Sequence, residues 1–277
     1  MDRIAIISDV HGNITALNTV LSDIKSRKIS KIYCLGDSVI KCANPDLAID
    51  VLRKNCDVIL KGNCEDLMTT PYAKERKFWT REKIGEERAE FLANLPVSYD
   101  FYMSGYLIRL FHASPFSLEH IYNPMYSNID TNYATKELIN PEQLFENTTF
   151  IGKDDSDPIP DIIGYGHIHT PNIFRFKNKT VFNPGSLGIP TEMLNSADFD
   201  ETCKFSTVSS YIILEGKLDS RELSSISFNL VRVPYDIEKE VKYLEESDMP
   251  NKHFIINSLR CANSKYENKN WFILVKY

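Results

Sequence analysis

The sequence predicts an α/β protein whose polar chemistry collects at one edge of a sheet. Two observations carry this. Apolar strand-like runs alternate with helix-period segments through residues 3–62, and five apolar runs each end in a residue type that binds metal ions. A β-α-β-α-β order implies parallel pairing through right-handed crossovers, and in such sheets sites assemble where the carboxyl ends of the strands fan apart.

The elements follow in order. "RIAIIS" reads as a strand, after which Ile14, Leu17, Val20, Leu21 and Ile24 fall on one helical face. "KIYCLG" is a second strand, Pro45 opens a helix running through "DLAIDVLRKN", and "DVILKG" is a third strand. From about Met68 to Pro96 the chain is charged and helical, with a stripe of Ile84, Phe91, Leu92 and Leu95. "SYDFYM" and "YLIRLFH" form a hairpin about Ser104-Gly105. Ser114 to about Pro160 reads as loop with a short helix or two. Strands return in "PDIIGYG", "NIFRF", "TVFNPG", "SSYIILEG" and "SISFNLVRV", and the tail after Pro234 is helical. The expected organisation is one domain over 1–234 with a helical insertion at about 67–96, and a C-terminal helical extension over 235–277 packed on it.

Composition narrows the class. With 277 residues, 43% hydrophobic and 25% charged, the chain suits a soluble globular protein. A net charge of -6 argues against an extended nucleic-acid surface, and no apolar run approaches the roughly 18 residues of a membrane helix. A strand beginning at Arg3 leaves no room for a signal peptide. The six cysteines form no CxxC pair, which fits free thiols in a reducing cytoplasm.

The strand ends hold the chemistry. "RIAIIS" leads to Asp9 and His11, "KIYCLG" to Asp37, "DVILKG" to Asn63, "YLIRLF" to His112, and "DIIGYG" to His167 and His169. Imidazole mixed with carboxylate and amide oxygen suits borderline divalent metals. Seven such residues exceed one tetrahedral ion and fit two ions sharing a carboxylate. Two ions roughly 3.5–4 Å apart can clamp a phosphoryl group and turn a bridging water into hydroxide. Two other motif readings fail locally: His169 and Pro171 spoil a dinucleotide fingerprint in "GYGHIH", and Pro184 spoils a nucleophile elbow at Ser186.

"DVH", "GDSV", "GNCE", "FHAS" and "GYGHIH", in that order and followed by "NPGS", resemble the signatures of the calcineurin-like metallophosphoesterase family. The resemblance implies a four-layer αββα sandwich with mixed β-sheets. It implies one ion on Asp9, His11, Asp37 and His169, and a second on Asp37 as bridge with Asn63, His112 and His167. Asn13 would contact substrate or support the ligands, and Asn63 would also touch substrate. The length, the insertion and the "VRVPYDIEKEV" tail look similar to longer bacterial members, among them a phosphodiesterase that splits diadenosine tetraphosphate asymmetrically.

Three departures matter. Cys64 replaces the histidine that protonates the leaving group in many relatives, and a neutral thiol is a poor substitute for an imidazolium. "GDSVIKCANP" lacks the arginine that grips phosphate in the protein phosphatases, with Lys41 only a loose candidate. Ala113 stands where a glycine usually follows the lone histidine.

The expected function is dimetal-dependent hydrolysis of a phosphodiester or phosphoanhydride by in-line attack of a metal-bridging hydroxide. Manganese is the preferred ion, with iron, zinc, cobalt or nickel as alternatives, and the expected partner is a small phosphorylated substrate, a nucleotide or dinucleotide polyphosphate. A homo-oligomer is compatible with this reading. The alternatives are a phosphomonoesterase or protein phosphatase, and a non-catalytic protein-binding scaffold of the same fold.

Overall fold

The computed structural model describes residues 1–69, 75–120, 122, 124, 138, 140–191 and 206–264. The chain opens with β1 (Asp2–Ile7), α1 (Ile14–Ser26), β2 (Lys31–Cys34), α2 (Pro45–Asn55) and β3 (Val58–Ile59). Next come α3 (Asn63–Thr69), α4 (Glu75–Ala93), β4 (Ser98–Met103) and β5 (Tyr106–Phe111). Two 3₁₀ turns, Pro141–Phe145 and Thr149–Ile151, precede β6 (Ile162–Gly164), β7 (Asn172–Phe176) and β8 (Lys179–Asn183). Then follow β9 (Val208–Gly216), β10 (Ser227–Pro234), α5 (Ile237–Glu246) and α6 (Lys252–Ser264).

The strands form two mixed sheets, ordered β10-β9-β1-β2-β3 and β4-β5-β6-β8-β7. β1, β2 and β3 run parallel, with β9 antiparallel to β1. Ile4 lies opposite Lys31 and Ile7 opposite Cys34, so β1 and β2 deliver the loops after them at one level. In the second sheet β5, β6 and β8 are parallel, and β5 and β6 carry the segments that lead to His112 and His167.

The sheets pack face to face. Ile4 and Ile6 of β1 and Tyr33 of β2 meet Phe101, Met103, Ile108, Leu110 and Phe182 across the interface. The opposite face of β1, Ala5 and Ile7, packs on Leu17, Val20 and Ile24 of α1 and on Ala48 and Leu52 of α2. A strand covered on both faces needs a continuous apolar run rather than alternation, which is why "IAII" carries no polar residue. Each such side chain, fully buried, stabilises the fold by roughly 1.5–3 kcal/mol. The outer face of the second sheet, with Phe111, Ile163, Tyr165 and Val181, packs on Leu144 and Phe145 of the first 3₁₀ turn.

The expected stripe is present: Ile84 and Leu92 of α4 and Leu95 just beyond it are buried with Val39, Ile49, Cys64 and Met68, and Phe91 packs half-buried against them. Gly85, at φ 72° and ψ 176°, breaks α4 into two helical pieces. The hairpin turn forms as expected, with Ser104 and Gly105 both at positive φ, the requirement of a two-residue turn that matches strand twist. α5 and α6 close over Ala16, Cys42, Ala43 and Ile189. Cys34, Cys42, Cys56 and Cys64 form no disulfide; Cys203 and the side chain of Cys261 lie outside what is described. Among the described residues no helix is long and apolar enough to cross a membrane.

Candidate metal centre

The loops at the carboxyl edges of both sheets are laced to one another. Asp9 N donates to Gly36 O at 3.0 Å, His11 N to Asp37 O at 2.9 Å, and Gly166 N to His112 O at 2.7 Å. His167 N donates to Asp9 Oδ2 at 3.1 Å, which ties the second sheet to the first. This network holds five candidate ligands in left-handed backbone: Asp9 at φ 55°, His11 at 51°, Asp37 at 55°, His167 at 68° and His169 at 61°. Non-glycine residues there cost about 1–3 kcal/mol each and cluster where the surroundings over-determine them. Gly62 permits a close approach, since a Cβ there would collide with Asp37 Oδ1 and lie 2.6 Å from Asp37 N.

All seven expected ligands converge. His11 Nδ1 faces Val39 O at 3.2 Å, His112 Nδ1 faces Leu35 O at 2.9 Å and His169 Nδ1 faces Ile189 O at 2.8 Å. A carbonyl oxygen only accepts, so each Nδ1 carries the proton and each Nε2 presents a lone pair inward. Nε2 of His11 and Nε2 of His169 then lie 3.0 Å apart, lone pair toward lone pair. Asp9 Oδ1 stands 3.3 Å from His169 Nε2 and 3.8 Å from His11 Nε2, buried and without a donor.

The second cluster repeats the pattern around Asn63. Its Oδ1 lies 3.1 Å from His112 Nε2 and 3.0 Å from His167 Nδ1. Turning the amide would let its nitrogen donate to both and to both oxygens of Asp37, so the oxygen as placed sits among acceptors. Asp37 joins the clusters, with Oδ2 3.8 Å from His11 Nε2 and Oδ1 3.4 Å from His112 Nε2. Acceptors gathered this closely fit a cation. The mix of imidazole, carboxylate and amide fits a borderline divalent metal.

Charge agrees with geometry. Burial alone would raise the carboxyls of Asp9 and Asp37, but neighbouring imidazoles outweigh it and both are held below the usual range. His11 is pushed well down by burial and by Lys41, and His167 is pushed down to about 4 by burial and by His112. Burial also presses on His112, yet the carboxylates of Asp37, Asp9 and Glu65 raise it. Two ionised carboxylates buried in one centre call for a cation to balance them.

Several supporting residues surround the ligands. Glu65, fully buried, accepts from Gly62 N at 2.8 Å, Asp37 N at 2.8 Å, Ser38 N at 2.7 Å and Ser38 Oγ at 2.5 Å. The only sequence signal for it is its place inside "GNCE". Cys64 donates its amide to Asp37 Oδ1 at 2.8 Å and its thiol to Asp37 Oδ2 at 3.0 Å. In "NPGS", Asn183 Nδ2 donates to Gly166 O at 2.7 Å and Ser186 Oγ to Asp9 O at 2.7 Å. Asn13 lies behind the ligands, fully buried. Its Oδ1 caps α1 through Ala16 N at 2.9 Å, and its Nδ2 donates to Gly188 O at 3.0 Å and Tyr235 OH at 3.3 Å.

Comparison with known proteins places this arrangement. The chain is 28% identical over 256 residues to an uncharacterized protein of Methanocaldococcus jannaschii, covering 89% of this chain and 93% of that one. A crystal structure of a metallophosphoesterase from Sphaerobacter thermophilus matches with a TM-score of 0.66 at 21% identity, over 94% of this chain and 99% of that one. A hypothetical protein of Pyrococcus horikoshii OT3 matches with the same TM-score at 19% identity, over 94% and 98%. Residues 2–201, which contain every one of the seven converging side chains, match the calcineurin-like phosphoesterase superfamily domain, and the chain belongs to that family.

Proposed function

We propose that the chain is a dimetal-dependent phosphoesterase that hydrolyses phosphodiester or phosphoanhydride bonds of a nucleotide-type substrate. Asp9, His11, Asp37 and His169 would hold one ion; Asp37, Asn63, His112 and His167 would hold the other. Two divalent ions there, manganese first among the candidates, supply the charge that polarises a phosphoryl group and the acidity that makes water a nucleophile. The observation that carries the reading is the pair of acceptor-rich clusters on either side of Asp37, with Asp9 Oδ1 unpartnered in one and Asn63 Oδ1 set among acceptors in the other.

The chain's own residues set the rest. Carbonyls of Leu35, Val39 and Ile189 fix the imidazole tautomers, and Glu65 fixes the loop that presents Asp37. Asn63 is half-buried, which leaves it able to touch substrate as well. Burial and Asp37 push the Cys64 thiol well up, and its hydrogen bond is committed to Asp37, so it does not protonate a leaving group. That favours substrates whose leaving group departs as a stable anion, such as a nucleotide phosphate, and makes dinucleotide polyphosphates such as diadenosine tetraphosphate the first to screen. Buried reduced thiols suit a cytoplasmic setting.

The test is hydrolysis of bis-p-nitrophenyl phosphate by metal-stripped protein titrated with manganese, beside Asp37→Asn. The expected result is turnover that rises with manganese and is absent in Asp37→Asn. A folded protein inactive with manganese, iron, cobalt, nickel and zinc overturns the phosphodiesterase reading. The same assay with p-nitrophenyl phosphate separates diester from monoester preference.

A further inference from the structure

Lys41 sits where no general rule of turns would put it. Ile40 and Lys41 both have left-handed backbone, at φ 65° and 77°, and a β-branched residue in that region is an outlier. The turn is held from both ends: Gly12 N donates to Ser38 O at 2.8 Å and Cys42 N to His11 O at 2.8 Å. Val39 is fixed in the cluster behind α4, while Cys42 and Ala43 are fixed in the cluster beneath α5 and α6. The turn therefore aims the half-buried lysine in a set direction. Its Nζ lies 3.2 Å from His11 Nε2 and 3.5 Å from His169 Nε2.

Those are the two lone pairs that face each other in the first cluster. An imidazole nitrogen has one lone pair in the ring plane, so each Nε2 serves the ammonium or a metal ion and not both. We propose that Lys41 is a built-in competitor for the first ion: its ammonium holds His11 and His169 until a metal displaces it, and this sets the affinity of that position alone. The proposal rests on the dimetal reading and adds to it an internal cation that makes the two positions unequal. An ion entering the first position must break both lysine contacts and then tolerate the displaced charge nearby.

The experiment is calorimetric titration of the metal-stripped full chain with manganese chloride, for wild type, Lys41→Gln, Lys41→Arg, His169→Ala and the His169→Ala/Lys41→Gln double variant. Lys41 is half-buried on a turn, so Lys41→Gln folds, which far-UV circular dichroism checks. Wild type is expected to take up two ions. In Lys41→Gln one of them binds about tenfold tighter, as expected for removing one charge beside a divalent ion, and the other stays within about twofold. Lys41→Arg keeps the charge and stays within about threefold of wild type. His169→Ala weakens the ion that Lys41→Gln tightens, and in that background the gain from Lys41→Gln shrinks, because only His11 is still shared.

Two ions in wild type with both affinities unchanged in Lys41→Gln overturns the competitor and leaves the dimetal reading intact. A tenfold gain that appears equally at both positions also overturns it, because the charge would then act at long range and not through the shared imidazoles. A wild-type chain that binds no ion overturns both.

Discussion

Cys64 grips both oxygens of Asp37: its amide donates to Oδ1 at 2.8 Å and its thiol to Oδ2 at 3.0 Å. The residue that replaces an expected histidine is thus bonded to the carboxylate that joins the two clusters, and it points no proton outward. In a series of aryl phosphodiesters the rate should rise steeply with leaving-group acidity. Cys64→Ala should lower kcat about tenfold by loosening Asp37, with the slope of that series unchanged. A slope that steepens in the variant would mean that the thiol does protonate the leaving group.

Glu65 accepts four hydrogen bonds with two oxygens. Glu65→Gln keeps the shape but turns one acceptor into a donor that faces donors. It should cost about 3 kcal/mol in urea unfolding, with the midpoint lowered and the m-value unchanged. Manganese affinity should fall with it, because the loop that presents Asp37 is no longer held.

Glu240 offers a pH signature far from the ligands. It is fully buried, accepts from Thr15 N at 3.2 Å, and burial pushes its carboxyl up to about 7 from an ordinary 4.5. The folded state therefore binds this proton more tightly than the unfolded chain. The group is neutral in both states below pH 4.5, and stability falls as pH rises from there to 7, by at most about 3 kcal/mol. Glu240→Gln should remove that component, so the difference between variant and wild-type unfolding free energy should grow across this window and level off above it.

Asn13 is bonded at both ends of its amide, to Ala16 N on one side and to Gly188 O and Tyr235 OH on the other. Asn13→Ala removes a helix cap and leaves buried polar groups unpaired. The expected loss is about 2 kcal/mol of stability with KM within about twofold of wild type. A large rise in KM at unchanged stability would instead mark a residue that binds substrate.

The core and the convergence of the candidate ligands are readable because each has a simple signature. β1 and β2 are buried on both faces, so their runs are unbroken, and the ligands follow directly on those runs. β3 was harder: "DVILKG" looks like a full strand, yet only Val58–Ile59 pair, because the chain must leave the sheet at Gly62 to bring Asn63 to the centre. α3 begins at Asn63 itself, too short for any periodicity to announce it. Glu65 bonds Ser38, 27 residues away, and Asn13 bonds Gly188, 175 residues away; neither contact leaves a mark in the local pattern, although the capping of α1 by Asn13 is local. The reach of Lys41 depends on two successive left-handed residues, which no propensity of Ile or Lys favours.

The wall behind the centre has a consequence for motion. Val39 belongs to the cluster capped by α4, and Cys42 and Ala43 belong to the cluster capped by α5 and α6, so the turn between them is anchored in two separate bodies of core. Such a turn cannot breathe by local fraying. The amide protons that tie it down, those of Gly12 and Cys42, are released to solvent only when one of those bodies opens as a unit, and native-state hydrogen exchange there should track sub-global unfolding rather than loop fluctuation.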